Sequence, residues 1–122
     1  RVLPAFQMLE RNGITIAVIG IAASIVPQQA DAFNIGLRFT QGVEELPALL
    51  DEVKGLGAEL IVVQSELGLP QNIKIAQKFD DIDVMYSAHT HEVTLGALVV
   101  HNNKVIRTTP GEGLNRRARR LL

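Results

Sequence analysis

The sequence predicts an α/β fold of three-layer sandwich type, with mostly parallel buried strands, crossover helices and a C-terminal antiparallel hairpin. Apolar runs dominated by β-branched residues, at 14–20 and 60–65, lack polar alternation and are typical of strands buried on both faces. The stretch between them has a helical period, and the order strand, helix, strand, helix, strand implies right-handed crossovers between parallel strands. At 122 residues the chain has the length of one domain.

The first predicted strands are joined by a turn signal. Residues 2–10 alternate loosely and end at Arg11-Asn12-Gly13, where glycine can adopt a positive φ, so we expect a hairpin into the buried strand 14–20. Residues 11–32 also resemble a secretory signal, with an apolar run and a small-x-small sequence at 30–32. We favour the strand, because the run is β-branched and follows residues that already look structured.

Helical and strand patterns alternate through the middle of the chain. From Gln41 the apolar residues follow a helical period, and Pro47 is compatible with that helix only in its first turn. The apolar stripe of this helix consists of Val43, Leu46, Leu49, Leu50, Val53 and Leu56. The remaining predicted elements are the strand 60–65, the helix 71–79, the strand 82–87 and two hairpin strands around Asn102-Asn103.

Composition limits the chemistry that the chain can support. The formal net charge is −1, although the last seven residues carry four arginines, so the rest of the chain is acidic. The absence of cysteine excludes disulfides, thiolate catalysis and cysteine-ligated zinc. Any metal ion must therefore be held by His, Asp, Glu or Asn.

Residues with metal-binding chemistry follow two of the predicted strands. Glu66 comes directly after the strand 60–65, and His89 and His91 follow the strand 82–87. If these strands are neighbours, one carboxylate and two imidazoles meet at one sheet edge, because ligands bind beyond the carboxyl ends of parallel strands. A ligand set of two imidazoles and one carboxylate, which leaves coordination positions open, suits Zn, Mn or Fe. These ions activate water and polarise phosphoryl oxygens. By itself, a His-x-His pair also occurs in ordinary polar loops.

The chain resembles the second half of a calcineurin-like metallophosphoesterase domain, in the branch that contains 5′-nucleotidases and SoxB. The resemblance runs through the segments 12–20, 56–63 and 82–92 and ends at the turn 110–113. Its specific part is the family's Gly-His-Thr-His motif, which here reads Ala88-His89-Thr90-His91.

The resemblance implies a dinuclear metal site and an N-terminal half of the domain that supplies its other ligands. In that family the two motif histidines ligate a dinuclear centre of divalent Mn, Zn or Fe, which implies that role for His89 and His91. A third family ligand, the His of Ser-His-x-Gly, is replaced by Glu66 in the sequence 65–68. The family's first half supplies further ligands, in Asp-x-His and Asn-His motifs and a bridging Asp, and none of those motifs occurs in this sequence. We therefore expect residues 1–122 to be the C-terminal half of the domain, which pairs with an N-terminal half and is inactive alone.

The resemblance also implies an activity. We expect a hydrolase of 5′-nucleotidase type, in which a metal-bound hydroxide attacks a phosphoester, most simply that of a nucleotide. The same family suggests a periplasmic or secreted location. The replacement at Glu66 supports an alternative: a non-catalytic or SoxB-like relative with a degenerate metal site, acting as a binding or scaffold module.

The arginine cluster at residues 116–120 has two interpretations. Its charge could contact the phosphates of a nucleic acid or of a bound nucleotide. We favour a solvated, frayed terminus, because short basic runs at chain ends are common. No aromatic residues are interleaved to stack on bases, so we do not expect nucleic acid as a partner.

Overall fold

The residues that the structure describes form one mixed sheet with two helices. The computed structural model describes residues 4–23, 25, 28, 35–36, 38–91, 93, 96–101, 104–107 and 119–121, and for residues 101–121 it describes the backbone alone. The elements in chain order are β1 (Phe6–Arg11), β2 (Ile14–Ile21), α1 (Leu46–Gly55), β3 (Leu60–Ser65), α2 (Leu69–Lys78), β4 (Val84–Ser87), β5 (Leu98–His101), β6 (Lys104–Arg107) and β7 (Arg119–Leu121).

The strands lie in the order β1-β2-β3-β4-β7-β5-β6. The four central strands β2, β3, β4 and β7 are parallel, while β1 pairs antiparallel with β2, and β5 pairs antiparallel with both β6 and β7. The α/β prediction is confirmed, together with its parallel centre and its C-terminal antiparallel hairpin. The strand interpretation of residues 14–20 is also confirmed, since β2 is bonded on both sides, to β1 and to β3.

Two prolines set the starts of the helices. The first helix begins at Leu46, later than the periodicity from Gln41 predicts, and Pro47 therefore lies in its first turn. Proline is tolerated there because the amide that it lacks has no partner within the helix. Pro70 occupies the same place in α2, which begins at Leu69 instead of the predicted Gln71. Both helices are ten residues long, and no helix in the described ranges is long and apolar enough to cross a membrane.

A single apolar core joins the helices to one face of the sheet. Inward-facing residues of β2, β3 and β4 contribute to this core, with the period of two that is expected in a strand. The buried core residues of these three strands and the helices are Ala17, Ile19, Ile21, Ile61, Val63, Met85, Leu46, Leu50, Val53, Ile75 and Ala76. Because α1 and α2 pack on the same face, no helix in the described part of the chain covers the opposite face of β2, β3 and β4.

The expectation of a frayed C-terminus is wrong for residues 119–121. Arg119–Leu121 forms β7, which lies between β4 and β5 and is paired with both. Strand pairing uses the backbone N–H and C=O groups, which arginine supplies as well as any other residue. The turn around Asn102-Asn103 and the remaining arginines, at 116 and 117, lie outside the described residues.

Candidate functional site

Three parallel strands end at the same level of one sheet edge. Ile21, Ser65 and Ser87 are the last residues of β2, β3 and β4, and they are register partners across the sheet. The ladder continues one residue further, where the Glu66 N–H donates to the Ile21 carbonyl at 3.0 Å and the Ala88 N–H donates to the Ser65 carbonyl at 2.9 Å. The strand before Glu66 and the strand before the loop of residues 88–91, called the histidine loop below, are therefore neighbours, which is the condition on which the shared edge depends.

The histidine loop begins directly after β4 and has an unusual backbone. His89 has a φ of 82° and His91 a φ of 52°, so both adopt left-handed conformations. Such conformations are uncommon for residues other than glycine, and they concentrate at functional sites and tight turns. Both side chains are exposed at the sheet edge, as is that of Glu66. The histidine loop therefore exposes both imidazoles at the carboxyl edge of the sheet.

These three side chains share an edge, but they do not complete a metal site by themselves. Within the described ranges, no group of three His, Asp or Glu side chains is placed to hold a metal ion. The donor chemistry still fits a borderline divalent ion, because two imidazoles and a carboxylate are ligands that Zn, Mn and Fe accept. Glu92, which follows the loop, lies outside the described residues.

A buried polar bridge connects the strands beneath the candidate site. Asn72 of α2 is fully buried and Ser65 is 2% exposed. The Ser65 hydroxyl donates to Asn72 Oδ1 at 2.7 Å, and Asn72 Nδ2 donates to the Ser87 hydroxyl at 2.8 Å. Sequence reasoning missed this bridge, although two adjacent apolar strands that both end in serine were a signal for it.

A glycine brings the turn after β3 against the histidine loop. Gly68 precedes α2 with φ 83° and ψ 158°, a conformation that is essentially restricted to glycine. It is buried, and a Cβ placed on it would lie 2.7 Å from Cγ2 of Thr90. The Glu66 turn and the histidine loop are therefore packed against each other, with no space for a side chain between them.

A cleft of about 310 Å³ opens beside the end of β2. Its lining includes Gly20 and Ala22 and the polar residues Arg38, Thr40 and Glu45. The Thr40 hydroxyl lies 2.8 Å and 2.9 Å from the two Glu45 carboxylate oxygens, which fixes the turn that leads into α1. The cleft lies at the same sheet edge as the histidine loop, on the β2 side.

Known proteins are similar to this chain in sequence and in fold. No family model matches the chain. Over 91 residues it is 32% identical to the uncharacterized metallophosphoesterase YunD of Bacillus subtilis (strain 168), a match that covers 75% of this chain and 19% of that protein. Its fold is similar to that of the sulfate thiohydrolase SoxB of Thermus thermophilus, with a TM-score of 0.73 and 26% identity over 77% of this chain and 18% of that one. The sequence match and the shared fold support a fragment of the calcineurin-like metallophosphoesterase type.

A second solved structure has a similar fold. A putative 5′-nucleotidase from Staphylococcus aureus matches with a TM-score of 0.67 and 21% identity, over 75% of this chain and 21% of that one. The chain thus spans about a fifth of the length of each of these three proteins. Metallophosphoesterases as a family use divalent metal ions, which agrees with the donor types at this sheet edge.

Proposed function

We propose that this chain is the C-terminal half, residues 1–122, of a metallophosphoesterase domain and supplies part of its metal site. In this proposal His89 and His91 bind a divalent ion in a dinuclear centre, and Glu66 is a further ligand. The observation that carries the proposal is the shared edge: the two strands that precede these residues are adjacent and end in register. The 32% identity to a metallophosphoesterase supports it independently.

The proposed reaction is hydrolysis of a phosphoester, with a nucleotide as the expected substrate. A bound divalent ion would polarise a phosphoryl oxygen and activate water. The chain's own residues hold the ligands in place: β3 and β4 fix the starts of the two loops, and Gly68 packs the loops together. The 5′-nucleotidase among the structural neighbours supports the substrate class, and a periplasmic or secreted location belongs to the same proposal.

The uncovered sheet face supports the proposal of a second half. Opposite the helices, the residues facing outward from β2, β3 and β4 are mostly apolar and half-buried, whereas Gln64 is polar and exposed and Tyr86 is 47% exposed. The apolar residues of this open face are Leu9, Ile16, Val18, Leu60, Val62, Val84 and Tyr86. Parallel sheets are normally covered on both faces, so such a face needs a partner layer. We propose that the N-terminal half of the same domain covers it and contributes the remaining metal ligands.

A second function is favoured by one residue. Glu66 stands where the family motif has a ligand histidine, and a carboxylate there changes the charge and the metal preference of the site. A non-catalytic or SoxB-like relative would use this edge as a binding or scaffold module. Nucleic-acid binding through Arg116–Arg120 is less well supported, because no aromatic residues are interleaved with these arginines to stack on bases.

Turnover by the full-length protein tests the activity. The purified protein is stripped with a chelator, resupplied with Mn, Zn or Fe, and assayed on nucleoside 5′-monophosphates and on a phosphodiester. We expect activity only with added metal, and a loss of about 100-fold or more in His89→Ala. His101→Ala is the matched control, because the backbone of His101 lies at the end of β5, away from the histidine loop. Metal binding without turnover in the wild-type protein would favour the non-catalytic alternative.

A further inference from the structure

The bridge through Asn72 connects three elements at the carboxyl edge of the sheet. Its amide oxygen accepts a hydrogen bond from Ser65 at the end of β3, and its amide nitrogen donates one to Ser87 at the end of β4. The Ser65 hydroxyl is also 3.3 Å from the backbone N–H of Leu67, which donates to it and begins the turn beyond Glu66. The Asn72 side chain is therefore bonded to the ends of both strands. Through Ser65 it is also linked to the turn that follows β3.

A buried polar side chain at position 72 lowers the stability of the fold unless its hydrogen bonds are satisfied. Asn72 is fully buried within a helix whose neighbouring inward residues, Ile75 and Ala76, belong to the apolar core. Burying an amide is unfavourable unless its hydrogen-bonding groups are satisfied, and an apolar side chain would avoid that cost. Unlike an apolar contact, hydrogen bonds to two hydroxyls are directional, so they fix the relative positions of the groups that they join.

The joined positions are adjacent to the candidate ligands. Ser65 directly precedes Glu66, and Ser87 precedes His89 by two residues. The Ala88 N–H donates to the Ser65 carbonyl at 2.9 Å, so the backbone between Ser87 and His89 is bonded to the strand that carries Glu66. A change in the separation of the two serines would therefore change the separation of the candidate ligands.

We propose that Asn72 is a positioning residue, which fixes the carboxyl ends of β3 and β4 and thereby places Glu66 relative to the loop of His89 and His91. Its importance for metal binding rests on the proposed function. Its effect on the strand ends does not, and it can be measured in the absence of metal. Residues that support metal ligands in this way typically change metal affinity by 10–100-fold when they are replaced.

The test compares two backbone amides that report on opposite ends of the same strand pair. The Ala88 N–H is bonded to Ser65 at the carboxyl end, and the Asp83 N–H is bonded to the Ile61 carbonyl at 3.0 Å at the amino end. Hydrogen exchange is resolved at both amides in the metal-free full-length protein. In Asn72→Leu we expect exchange at Ala88 to accelerate at least about tenfold more than exchange at Asp83, because only the carboxyl end loses its bridge.

Matched variants separate positioning from general destabilisation. Val53→Ala removes a fully buried core side chain from α1 and should accelerate exchange at Ala88 and Asp83 equally. Asn72→Asp keeps an acceptor for both serine hydroxyls but buries a carboxylate, which lowers the global stability. We therefore expect exchange at Ala88 and Asp83 to accelerate by more similar factors in Asn72→Asp than in Asn72→Leu. If Asn72→Leu does not fold, Ser87→Ala removes one of the two bonds and should give the same local effect at smaller size.

Metal affinity is measured on the same set by titration with Mn or Zn. We expect affinity to fall about 10–100-fold in Asn72→Leu and to be unchanged in Val53→Ala. Equal acceleration at both amides, or selective acceleration at Ala88 with unchanged metal affinity, would overturn the proposed role of Asn72. A wild-type protein that binds no metal would refute the proposed function instead, and the exchange result would still decide whether Asn72 fixes the strand ends.

Discussion

Gly68 and Thr90 lie so close together that a single methyl group added to the glycine would come within 2.7 Å of Thr90 Cγ2. This contact joins the turn after β3, which carries Glu66, to the loop after β4, which carries His89 and His91. The sheet register brings the two strand ends side by side, and the contact fixes the chain beyond them.

Gly68→Ala should destabilise the protein and disturb the histidine loop. The residue has a φ of 83° and a ψ of 158°, where a side chain costs about 1–3 kcal/mol, and the clash with Thr90 adds to that cost. Chemical denaturation of the full-length protein measures the loss. Thr90→Ser removes the clashing methyl group, so in the double mutant we expect only the steric part to be recovered. Full recovery would show that the backbone conformation is not strained for alanine.

Glu66→His should raise phosphoesterase turnover if the site is catalytic. The substitution restores the histidine of the Ser-His-x-Gly motif at the end of β3, next to the histidine loop. We expect turnover to increase by at least about tenfold, since ligand identity sets the geometry and metal preference of such sites. Glu66→Gln is the control that removes the charge without supplying an imidazole. Equal rates in the wild-type protein and in Glu66→His would contradict a ligand role at this position.

Val62→Asp tests whether another layer covers the open sheet face. Val62 lies on that face and is only half-buried by the described residues. If the N-terminal half packs there, an unpaired carboxylate would be buried and should cost about 3–5 kcal/mol in the full-length protein. Val62→Thr keeps the branched shape and should cost less than half as much. A loss within about 0.5 kcal/mol for Val62→Asp would mean that the face remains exposed to solvent.

The features that depend on local pattern could be predicted from the sequence. The β-branched runs predicted the parallel strands. The residues that follow those strands predicted that Glu66 would lie at the same sheet edge as His89 and His91. Pro47 was expected in the first turn of its helix, where it lies. Its position also explains why the helix begins later than the apolar period predicts, since proline is favoured only at the start of a helix.

The features that depend on distant pairing could not be predicted. Arg119–Leu121 is a three-residue strand whose partners lie far away in the sequence, so its arginines indicated a frayed end. The role of Asn72 is visible only when α2 lies across the ends of β3 and β4. In both cases the residue type was polar and the structural role was set by backbone pairing or burial.

The metal content of the full-length protein tests the central claim most directly. Elemental analysis compares the wild-type protein, the double variant His89→Ala/His91→Ala and the control His101→Ala after identical purification. Because we propose that His89 and His91 are ligands of a dinuclear centre, we expect bound divalent metal in the wild type and control, and loss of at least one ion per chain in the double variant. Unchanged metal content in a folded double variant would contradict the proposed site.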